Sequence, residues 1–434
     1  MTIDHRSASS SLQQLLATHT AAELLAKLAP KHTPLGDRAP SGGIDAEAIA
    51  KRWAALARGD TAQRELLDDA SAANAAVYAR NIENFVGTLK VPVGVVGPLR
   101  VNGTYAQGDF YTPLATTEAA LVASYNRGAL LISEAGGASA ILLREGLSRA
   151  PGFAFESVHG VGQFVAWAVG AFEEMRRVAE STTRHGKLRD MHVNIEGNHV
   201  YLIFDFTTGE ASGQNMVTIA TEAICRFIAE RAPVKPSYGF VEANHSGDKK
   251  ASLQSFLSGR GRSVTCECIV PGALVDKRLH TTPEMMAKYW AMSAMGGVLS
   301  GTIGVQGHYA NGLAAVYLAC GQDVACVAES AVGVTRFEMT GDGDLYASVT
   351  IPNLMVGTVG GGTSLPTQRA CLDILGLSGP GSANAFAEVC AALSLAGELS
   401  IVGALVAGHF AGAHQRLARG EQPGDHAAKD SARS

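Results

Sequence analysis

An apolar run near the carboxyl end, from Leu393 to Ala411, places the strongest constraint on the fold. It is interrupted by Glu398, Ser400 and His409. A carboxylate and an imidazole inside so apolar a helix are costly unless they have partners. The run therefore predicts a helix buried within a folded body and not a membrane span. The N-terminus has no apolar core of signal-peptide length, and we expect no membrane partner.

Composition narrows the function to small-molecule chemistry. The chain has 434 residues, of which 47% are hydrophobic, so we expect two or three domains with a large buried surface. The formal net charge is −5 and is spread along the chain, so the sequence contains no basic patch of the kind that binds nucleic acid. The seven cysteines fall singly or as Cys266 and Cys268, which predicts neither a disulfide framework nor a metal site. A reducing, cytoplasmic compartment is the corresponding expectation.

Changes in residue composition and spacing divide the chain into an N-terminal helical segment, a body, an insert and a tail. Residues 1–86 are rich in Ala, Leu and charge with helical spacing. Gly and Pro then punctuate short apolar runs, which marks a body made of residues 87–150 and 241–420. Residues 151–240 read as a compact α+β insert, and residues 421–434 as a disordered tail.

The insert has a regular order of predicted elements. A helix, VGQFVAWAVGAFEEMRRVAE, precedes two strands that meet at a tight Gly197-Asn198 turn. A polar loop, TTGEASGQ, then leads into the helix NMVTIATEAICRFIAE. The first amides and the positive dipole end of that helix can bind a phosphate or a nicotinamide carboxamide.

Glu118 is the first residue that could carry chemistry. It lies in PLATTEAALVAS, where Thr116 or Thr117 could cap a helix starting near Glu118. Desolvation in this apolar setting would raise the pKa of the carboxyl and make it a proton donor near neutrality. The alternative is an ordinary acid of a helix N-terminus, favoured by the helix dipole.

Lys249 and Asp323 form a second candidate group. Lys249, in NHSGDKKAS, lies in a polar loop between the insert and the body, where an ammonium could polarise a bound carbonyl; the alternative is a solvated surface lysine. Asp323, in YLACGQDVACVAES, is flanked by apolar residues. We expect it to be partly buried and to need a cation such as Lys249, unless it is a helix cap or a structural carboxylate.

His409 and a glycine run complete the candidates. An imidazole near its usual pKa at position 409 could protonate a thiolate, whereas a core histidine bonded to backbone is the alternative. The run GTVGGGTSLP permits close approach of the backbone to a ligand, but it lacks the context of a GxGxxG dinucleotide motif. Motifs of P-loop, zinc-protease and serine-hydrolase type are absent from the sequence.

Taken together, the segments around these residues resemble the hydroxymethylglutaryl-CoA reductase family from about residue 83 to residue 415. The similar pieces are ENFVG, PVGVVGPL, PLATTEAALVASYNRG, SGDKKAS, LSGRGRSV, ANGLAAVYLACGQD, GTVGGGTSLP and LAGELSIVGALVAGH. The resemblance implies reduction of 3-hydroxy-3-methylglutaryl-CoA to mevalonate and CoA by two hydride transfers.

The resemblance also implies a role for each catalytic candidate. Lys249 would stabilise the thioester and aldehyde oxygen, and Asp323 would support a charge network with Glu118. Glu118 would supply a proton to the aldehyde oxygen, and His409 would protonate the departing thiolate of CoA.

Binding residues carry over in the same way. Arg149, Lys250, Asn311 and Glu83 would bind the substrate, whose free carboxylate suits cations. NADPH is the implied cofactor, with NADH not excluded. Its implied contacts are Arg184, Glu210, Gln214, Asn215, Met216, Val359, Gly360 and Gly361.

Two segments depart from the family pattern. The cofactor motif usually reads close to DAMGMNM, whereas this chain has EASGQNM, with Glu210, Ser212 and Gln214 replacing the usual residues. Glu242 stands where a serine is expected, and its charge would repel a substrate carboxylate unless Arg149 and Lys250 neutralise it. These departures motivate one alternative, a sister reductase for another acyl thioester. A non-catalytic acyl-CoA-binding protein of the same fold is the alternative from another class.

The fold that follows is α+β. A large, mostly helical domain that binds CoA and substrate would carry an inserted ferredoxin-like cofactor domain and an N-terminal helical segment. The family resemblance further implies a homodimer or higher homo-oligomer with active sites at the subunit interface.

Overall fold

The computed structural model describes residues 4–34, 41–56 and 60–408. Two compact units divide the chain, one extending to Leu89 and the other beginning at Lys90. The predicted tail of residues 421–434 lies outside the described residues, as do His409 and the rest of the predicted body beyond it.

The first unit is helical, as its periodicity predicts. A small apolar cluster centres on Ile49, Trp53, Ala75 and Phe85, and the indole N–H of Trp53 donates to the carbonyl of Val86 over 2.9 Å. Its helices are α1 (His5–Thr18), α2 (Ala21–Leu28), α3 (Ala46–Ala55), α4 (Asp60–Leu66) and α5 (Asp69–Ala73), followed by a 3-10 turn, Ala75–Arg80.

The second unit is built on a ten-stranded sheet with helices packed against it. Its strands are β1 (Val93–Gly103), β2 (Gln107–Ala115), β3 (Ala138–Arg149), β4 (Gly152–Ala154), β5 (Lys187–Glu196), β6 (His199–Thr207), β7 (Tyr238–Phe240), β8 (Gly261–Val270), β9 (Val334–Met339) and β10 (Leu345–Leu354). Its helices are α6 (Leu121–Glu134), α7 (Val158–Gly170), α8 (Phe172–Ser181), α9 (Gln214–Arg231), α10 (Gln254–Leu257), α11 (Gly272–Leu279), α12 (Pro283–Ser300), α13 (Tyr309–Ala319), α14 (Val327–Ser330), α15 (Pro366–Leu375) and α16 (Ala383–Val406). This combination is the α+β architecture expected from the sequence.

Strand β3 joins the insert to the body. Its first part pairs antiparallel with β8 and its last residues pair antiparallel with β6. On the body side the order continues β8-β10-β9, with β1 and β2 paired beside β3. Within the described residues, six strands belong to the body and form a sheet that helices cover.

The insert follows the predicted order of elements closely. Its chain order is β4-α7-α8-β5-β6-α9-β7, and its antiparallel strand order is β7-β4-β6-β5. The helix predicted as continuous is interrupted at Ala171, where Gly170 ends α7 and α8 begins at Phe172.

Helix α16 runs through the core of the second unit, and nearly all of its side chains are buried. By length and composition it could cross a membrane, but most of it is enclosed by the protein. The carboxylate of Glu398 accepts from the amides of Gly307 (2.7 Å) and His308 (2.8 Å) and from the hydroxyl of Thr335 (2.8 Å). The partner that its burial requires is therefore provided by the chain that leads into α13.

A second buried carboxylate on α16, that of Glu388, holds the turn between β1 and β2. It accepts from the backbone amides of Thr104 (3.0 Å), Tyr105 (2.8 Å) and Ala106 (2.7 Å). The turn cannot leave the helix without leaving a buried charge unpaired, which is strongly unfavourable.

Close packing of α6 on α16 depends on glycine. A Cβ atom at Gly128 would lie 1.9 Å from the carbonyl oxygen of Ala396, and one at Gly397 would lie within 2.5 Å of the ring of Tyr125. Glycine is required at these positions because backbone and an aromatic ring occupy the space of a side chain.

We predict that Gly128→Ala lowers the free energy of unfolding by about 2–3 kcal/mol, since the added methyl group overpacks the α6–α16 contact. Urea denaturation followed by circular dichroism measures the change. Gly162→Ala is the matched control because Gly162 is helical and open to solvent, and it should raise stability by about 0.5–1 kcal/mol. Equal effects of the two substitutions would contradict the packing argument.

Candidate active site

The ammonium of Lys249 and the carboxylate of Asp323 form an ion pair with an Nζ to Oδ2 distance of 2.9 Å. The predicted partnership is thus present. The expected burial of Asp323 is wrong, because its side chain is 43% exposed and that of Lys249 is 41% exposed. Asp323 also caps the 3-10 turn Val324–Cys326 by accepting from the amide of Ala325 over 3.0 Å. The hydrogen bond that the ammonium donates to Asp323 raises the pKa of Lys249, so the ammonium form is favoured.

Glu329, six residues after Asp323, contacts the backbone of Lys249. Lys249 has a φ of +57°, which is unusual for a residue with a side chain. Its amide donates to Oε1 of Glu329 over 3.1 Å, and Glu329 is fully buried in α14. Burial raises the pKa of Glu329, and the positive charge of Arg260 opposes that rise.

Two buried guanidiniums connect Lys249 to the end of β3. Nε of Arg260 lies 3.1 Å from Oε2 of Glu329, and Nη2 lies 3.0 Å from Oδ1 of Asp248. These are ion pairs by distance, without the alignment of hydrogen bonds. Nη1 of Arg149 lies 3.1 Å from Oδ2 of Asp248 and 3.4 Å from Oε2 of Glu242. Two cations thus face three carboxylates beside the lysine loop.

Glu242 is fixed by the backbone as well as by Arg149. Its carboxylate accepts from the amides of Ala150 (3.3 Å) and Asn244 (2.8 Å). The neutralisation of Glu242 expected from Arg149 is therefore present. Lys250 is exposed and directs its ammonium to the carbonyl of Asp248 (2.7 Å), so in this structure it does not neutralise Glu242.

Glu118 lies in an exposed loop and not in a helix, contrary to prediction. Helix α6 begins at Leu121, after Ala120 adopts a φ of +69°, and no side chain caps it. Thr116 instead accepts from the amide of Glu118 over 3.0 Å, and Asn311 donates to Glu118 over 3.4 Å. The structure also contradicts the expected desolvation. Within residues 60–408, no direct contact joins Glu118 to the Lys249–Asp323 pair.

Three motifs of the sequence meet next to Asp323. A Cβ at Gly321 would lie 2.5 Å from the backbone of Gly362, so the GQD turn rests against the glycine run. The side chain of Gln322 accepts from the amide of Gly357 over 2.8 Å. A Cβ at Gly357 would in turn lie 2.6 Å from the amide nitrogen of Ser212, in the EASGQNM segment. The fold thus brings together the segments expected to bind a cofactor and the ion pair.

The N-terminus of α9 follows directly from that segment. Gly213, at a φ of +78°, precedes the helix, and no side chain caps its first amides. Asn215 is exposed there, and Met216 packs beneath Gly186. The turn that carries the exposed Arg184 therefore lies over the first turn of α9. This region suits an anionic group, since it offers amides, a dipole end and a guanidinium.

Glu210 and Gln214 have internal partners. One carboxylate oxygen of Glu210 accepts from the amide of Ala383, the first residue of α16, over 2.9 Å. The side-chain amide of Gln214 lies 2.8 Å from Sγ of Cys326. Both polar replacements in the motif therefore serve contacts within the protein.

The remaining predicted residues lie as follows. Val359 is partly buried, whereas Gly360 and Gly361 are exposed with positive φ angles of 76° and 53° and open space around them. Glu83 is exposed in the first unit, and its proposed contact with substrate stays a prediction. His409 lies outside the described residues.

Sequence reasoning missed Glu329, Arg260 and Asp248. All three are charged residues of apolar or glycine-rich stretches, VAESAVGV, GRGRSV and HSGDKK. A charge in such surroundings needs a partner, which is the signal that could have identified them.

Residues 48–419 match the family model of hydroxymethylglutaryl-coenzyme A reductase, which is most of the chain. The chain belongs to this family.

Curated relatives agree with this assignment. The 3-hydroxy-3-methylglutaryl-coenzyme A reductase of Pyrococcus horikoshii is 45% identical over 350 residues, covering 79% of this chain and 84% of the relative. That of Haloferax volcanii is 46% identical, covering 78% and 85%. Reductase 1 of Oryza sativa is 38% identical and is covered over 66% of its length.

A solved structure shares the fold. The class II 3-hydroxy-3-methylglutaryl-CoA reductase of Streptococcus pneumoniae, determined with NADPH in open conformations, matches with a TM-score of 0.63. The match covers 82% of this chain and 97% of that chain at 20% identity.

We predict that Asp323→Asn lowers the pKa of Lys249 towards its ordinary value, because the substitution removes the carboxylate that stabilises the ammonium. After reductive ¹³C-methylation, NMR follows the titration of Lys249, and Lys249→Arg identifies its resonance. The exposed Asp342 provides a control, since Asp342→Asn removes the same charge from the turn between β9 and β10. An unchanged Lys249 titration in Asp323→Asn would rule out this electrostatic coupling.

Proposed function

We propose that this protein reduces 3-hydroxy-3-methylglutaryl-CoA to mevalonate and CoA, with NADPH as the reductant. The observation that carries the proposal is the Lys249–Asp323 ion pair at the meeting point of the glycine run and the EASGQNM segment. Family membership and the names of the relatives support the same activity.

Lys249 is the proposed oxyanion stabiliser. Its ammonium is half exposed and can donate to a thioester or aldehyde oxygen as negative charge develops there. Asp323 keeps the ammonium protonated and holds it in place by accepting one of its three donors. The other two remain for substrate.

Glu118 and His409 are the proposed proton donors. Glu118 would protonate the aldehyde oxygen, and His409 would protonate the thiolate of CoA as it leaves. Glu118 contacts Asn311 and not the lysine within the described chain. We propose a homodimer or higher homo-oligomer with the active site at the subunit interface, as the family resemblance implies.

The cofactor site is proposed at the N-terminus of α9. NADPH, when bound, supplies the two hydrides that reduction of a thioester to an alcohol requires. The free amides of α9, Asn215 and the exposed Arg184 suit its phosphates, and the open backbone of Gly360 and Gly361 permits close approach. NADH remains an alternative reductant.

We propose that residues 151–240 form a ferredoxin-like cofactor domain, because their strand order is that of the βαββαβ motif.

Arg149, Lys250, Asn311 and Glu83 are proposed to contact the substrate, in a domain made of residues 87–150 and 241–420 with residues 1–86 as the N-terminal segment. A cytoplasmic location is proposed from the seven cysteines, all unpaired.

A coupled assay tests the function. Purified protein should oxidise NADPH when given 3-hydroxy-3-methylglutaryl-CoA and should release mevalonate and free CoA. Lys249→Ala should lower kcat on the order of 10²-fold, because the oxyanion loses its donor. Lys288→Ala is the matched control, since Lys288 is exposed and pairs with Glu284 one turn away on α12. A folded wild-type protein without turnover would refute the activity, and full activity in Lys249→Ala would refute the role.

A second candidate function follows from the contacts of Glu242. Arg149 already faces two carboxylates, those of Glu242 and Asp248, so a substrate carboxylate must compete with an internal one. This favours a sister reductase acting on an acyl thioester without a terminal carboxylate. Comparing kcat/KM for 3-hydroxy-3-methylglutaryl-CoA and for neutral acyl-CoA thioesters distinguishes the two.

We predict that Glu242→Gln lowers KM for the carboxylate-bearing thioester about tenfold, because a hydrogen bond to a charged group contributes roughly 1.5–3 kcal/mol and Arg149 then faces one internal carboxylate, that of Asp248, in place of two. KM for a neutral thioester should stay unchanged. Glu222→Gln on α9 is the control, as its carboxylate pairs with Arg226 at the surface. An equal change of KM for both thioesters would count against competition at Arg149.

A further inference from the structure

One short segment, residues 323–330, holds Lys249 at both ends. Asp323 pairs with the ammonium at 2.9 Å, and Glu329 accepts from the backbone amide of the same residue at 3.1 Å. We propose that Glu329 is a positioning residue: it fixes the backbone of Lys249 so that the ammonium stays on Asp323 and faces the substrate. The inference rests on the catalytic role proposed for Lys249.

The backbone of Lys249 has an uncommon conformation. A φ of +57° is sparsely populated by residues with a Cβ, and it persists where surrounding contacts impose it. Lys249 is the third residue of a β-turn that the amide of Lys250 closes by donating to the carbonyl of Gly247 over 3.1 Å, and this position accommodates a positive φ. The contact with Glu329 connects this turn to a helix of the core.

Glu329 is itself rigidly placed. The next residue, Ser330, is fully buried and donates to the carbonyl of Asn353 over 2.7 Å. Ser330 also accepts from the hydroxyl of Tyr317 (3.0 Å) and from the amide of Met355 (3.2 Å). These hydrogen bonds hold α14 against β10 and α13. The position of Glu329 on α14 is therefore fixed by the core.

Arg260 allows a carboxylate to occupy this position. It is 1% exposed, and its Nε lies 3.1 Å from Oε2 of Glu329, while Oε1 is left for the amide of Lys249. The two oxygens of Glu329 thus have different partners. A carboxylate on a shorter side chain cannot reach both Arg260 and the amide of Lys249. Shortening the side chain therefore tests the contact with Lys249 while the charge is kept.

Two variants test the proposal. Glu329→Asp keeps the charge that compensates Arg260 but shortens the side chain by one methylene, and Glu329→Ala removes both charge and contact. Glu388→Asp is the matched control. Glu388 is another fully buried carboxylate, and it accepts from backbone amides of the turn between β1 and β2. All are compared by denaturation, by steady-state kinetics and by NMR titration of ¹³C-methylated Lys249.

Glu329→Asp should lower kcat on the order of 10²-fold with KM changed less than threefold, since a misplacement of about 1 Å at a reacting group has that effect. The pKa of Lys249 should fall, because the ammonium leaves Asp323. Glu388→Asp should lose stability while kcat and the Lys249 titration stay at wild-type values. Should Glu329→Ala fail to fold, Glu329→Asp alone decides.

Loss of stability in Glu329→Asp with kcat and the Lys249 titration unchanged would overturn the proposal and leave Glu329 a structural residue. The titration is independent of turnover. If the wild-type protein reduces no thioester, the proposed function fails, whereas the positioning of Lys249 by Glu329 is still judged by the pKa of Lys249 in the variant.

Discussion

The burial of α16 is the constraint on which the second unit depends. A helix so enclosed must find internal partners for its polar groups, and its two carboxylates find them in different places. Glu388 holds the turn between β1 and β2, while Glu398 holds the chain before α13 through Gly307 and His308. The first amide of α16 is occupied by Glu210, which belongs to the proposed cofactor segment. One helix therefore sets the position of the sheet, of the helix that carries Asn311, and of a binding loop.

The second organising element is the segment of residues 323–330, which lies between the two halves of the proposed site. Asp323 and Glu329 reach Lys249, and Cys326 lies within 2.8 Å of the side-chain nitrogen of Gln214 at the start of α9. The lysine loop and the proposed cofactor helix thus contact the same few residues.

Much of this architecture was accessible from the sequence, for identifiable reasons. The alternating strands of the insert, the Gly197-Asn198 turn and the helix after EASGQNM follow local rules that need no tertiary information. Lys249 and Asp323 could be paired in advance because a carboxylate flanked by apolar residues needs a cation.

The start of α6 could not be predicted in this way. Two threonines before Glu118 are equally suited to cap a helix or to bond within a loop, and the left-handed Ala120 decides for the loop. Likewise, the exposure of Asp323 depends on how three distant turns meet, which no local pattern encodes.

The departures of this chain from the family motif are explained by its contacts. A polar side chain that replaces another residue in a binding loop changes recognition most when it is free to meet a ligand. Glu210 is engaged with the end of α16, Gln214 with Cys326, and Glu242 with Arg149 and two backbone amides. The first two replacements thus join the cofactor segment to the core without adding a free charge to the site. Glu242 differs, because its partner is itself a proposed substrate contact. Recognition of the acyl group is therefore the property that these replacements affect most.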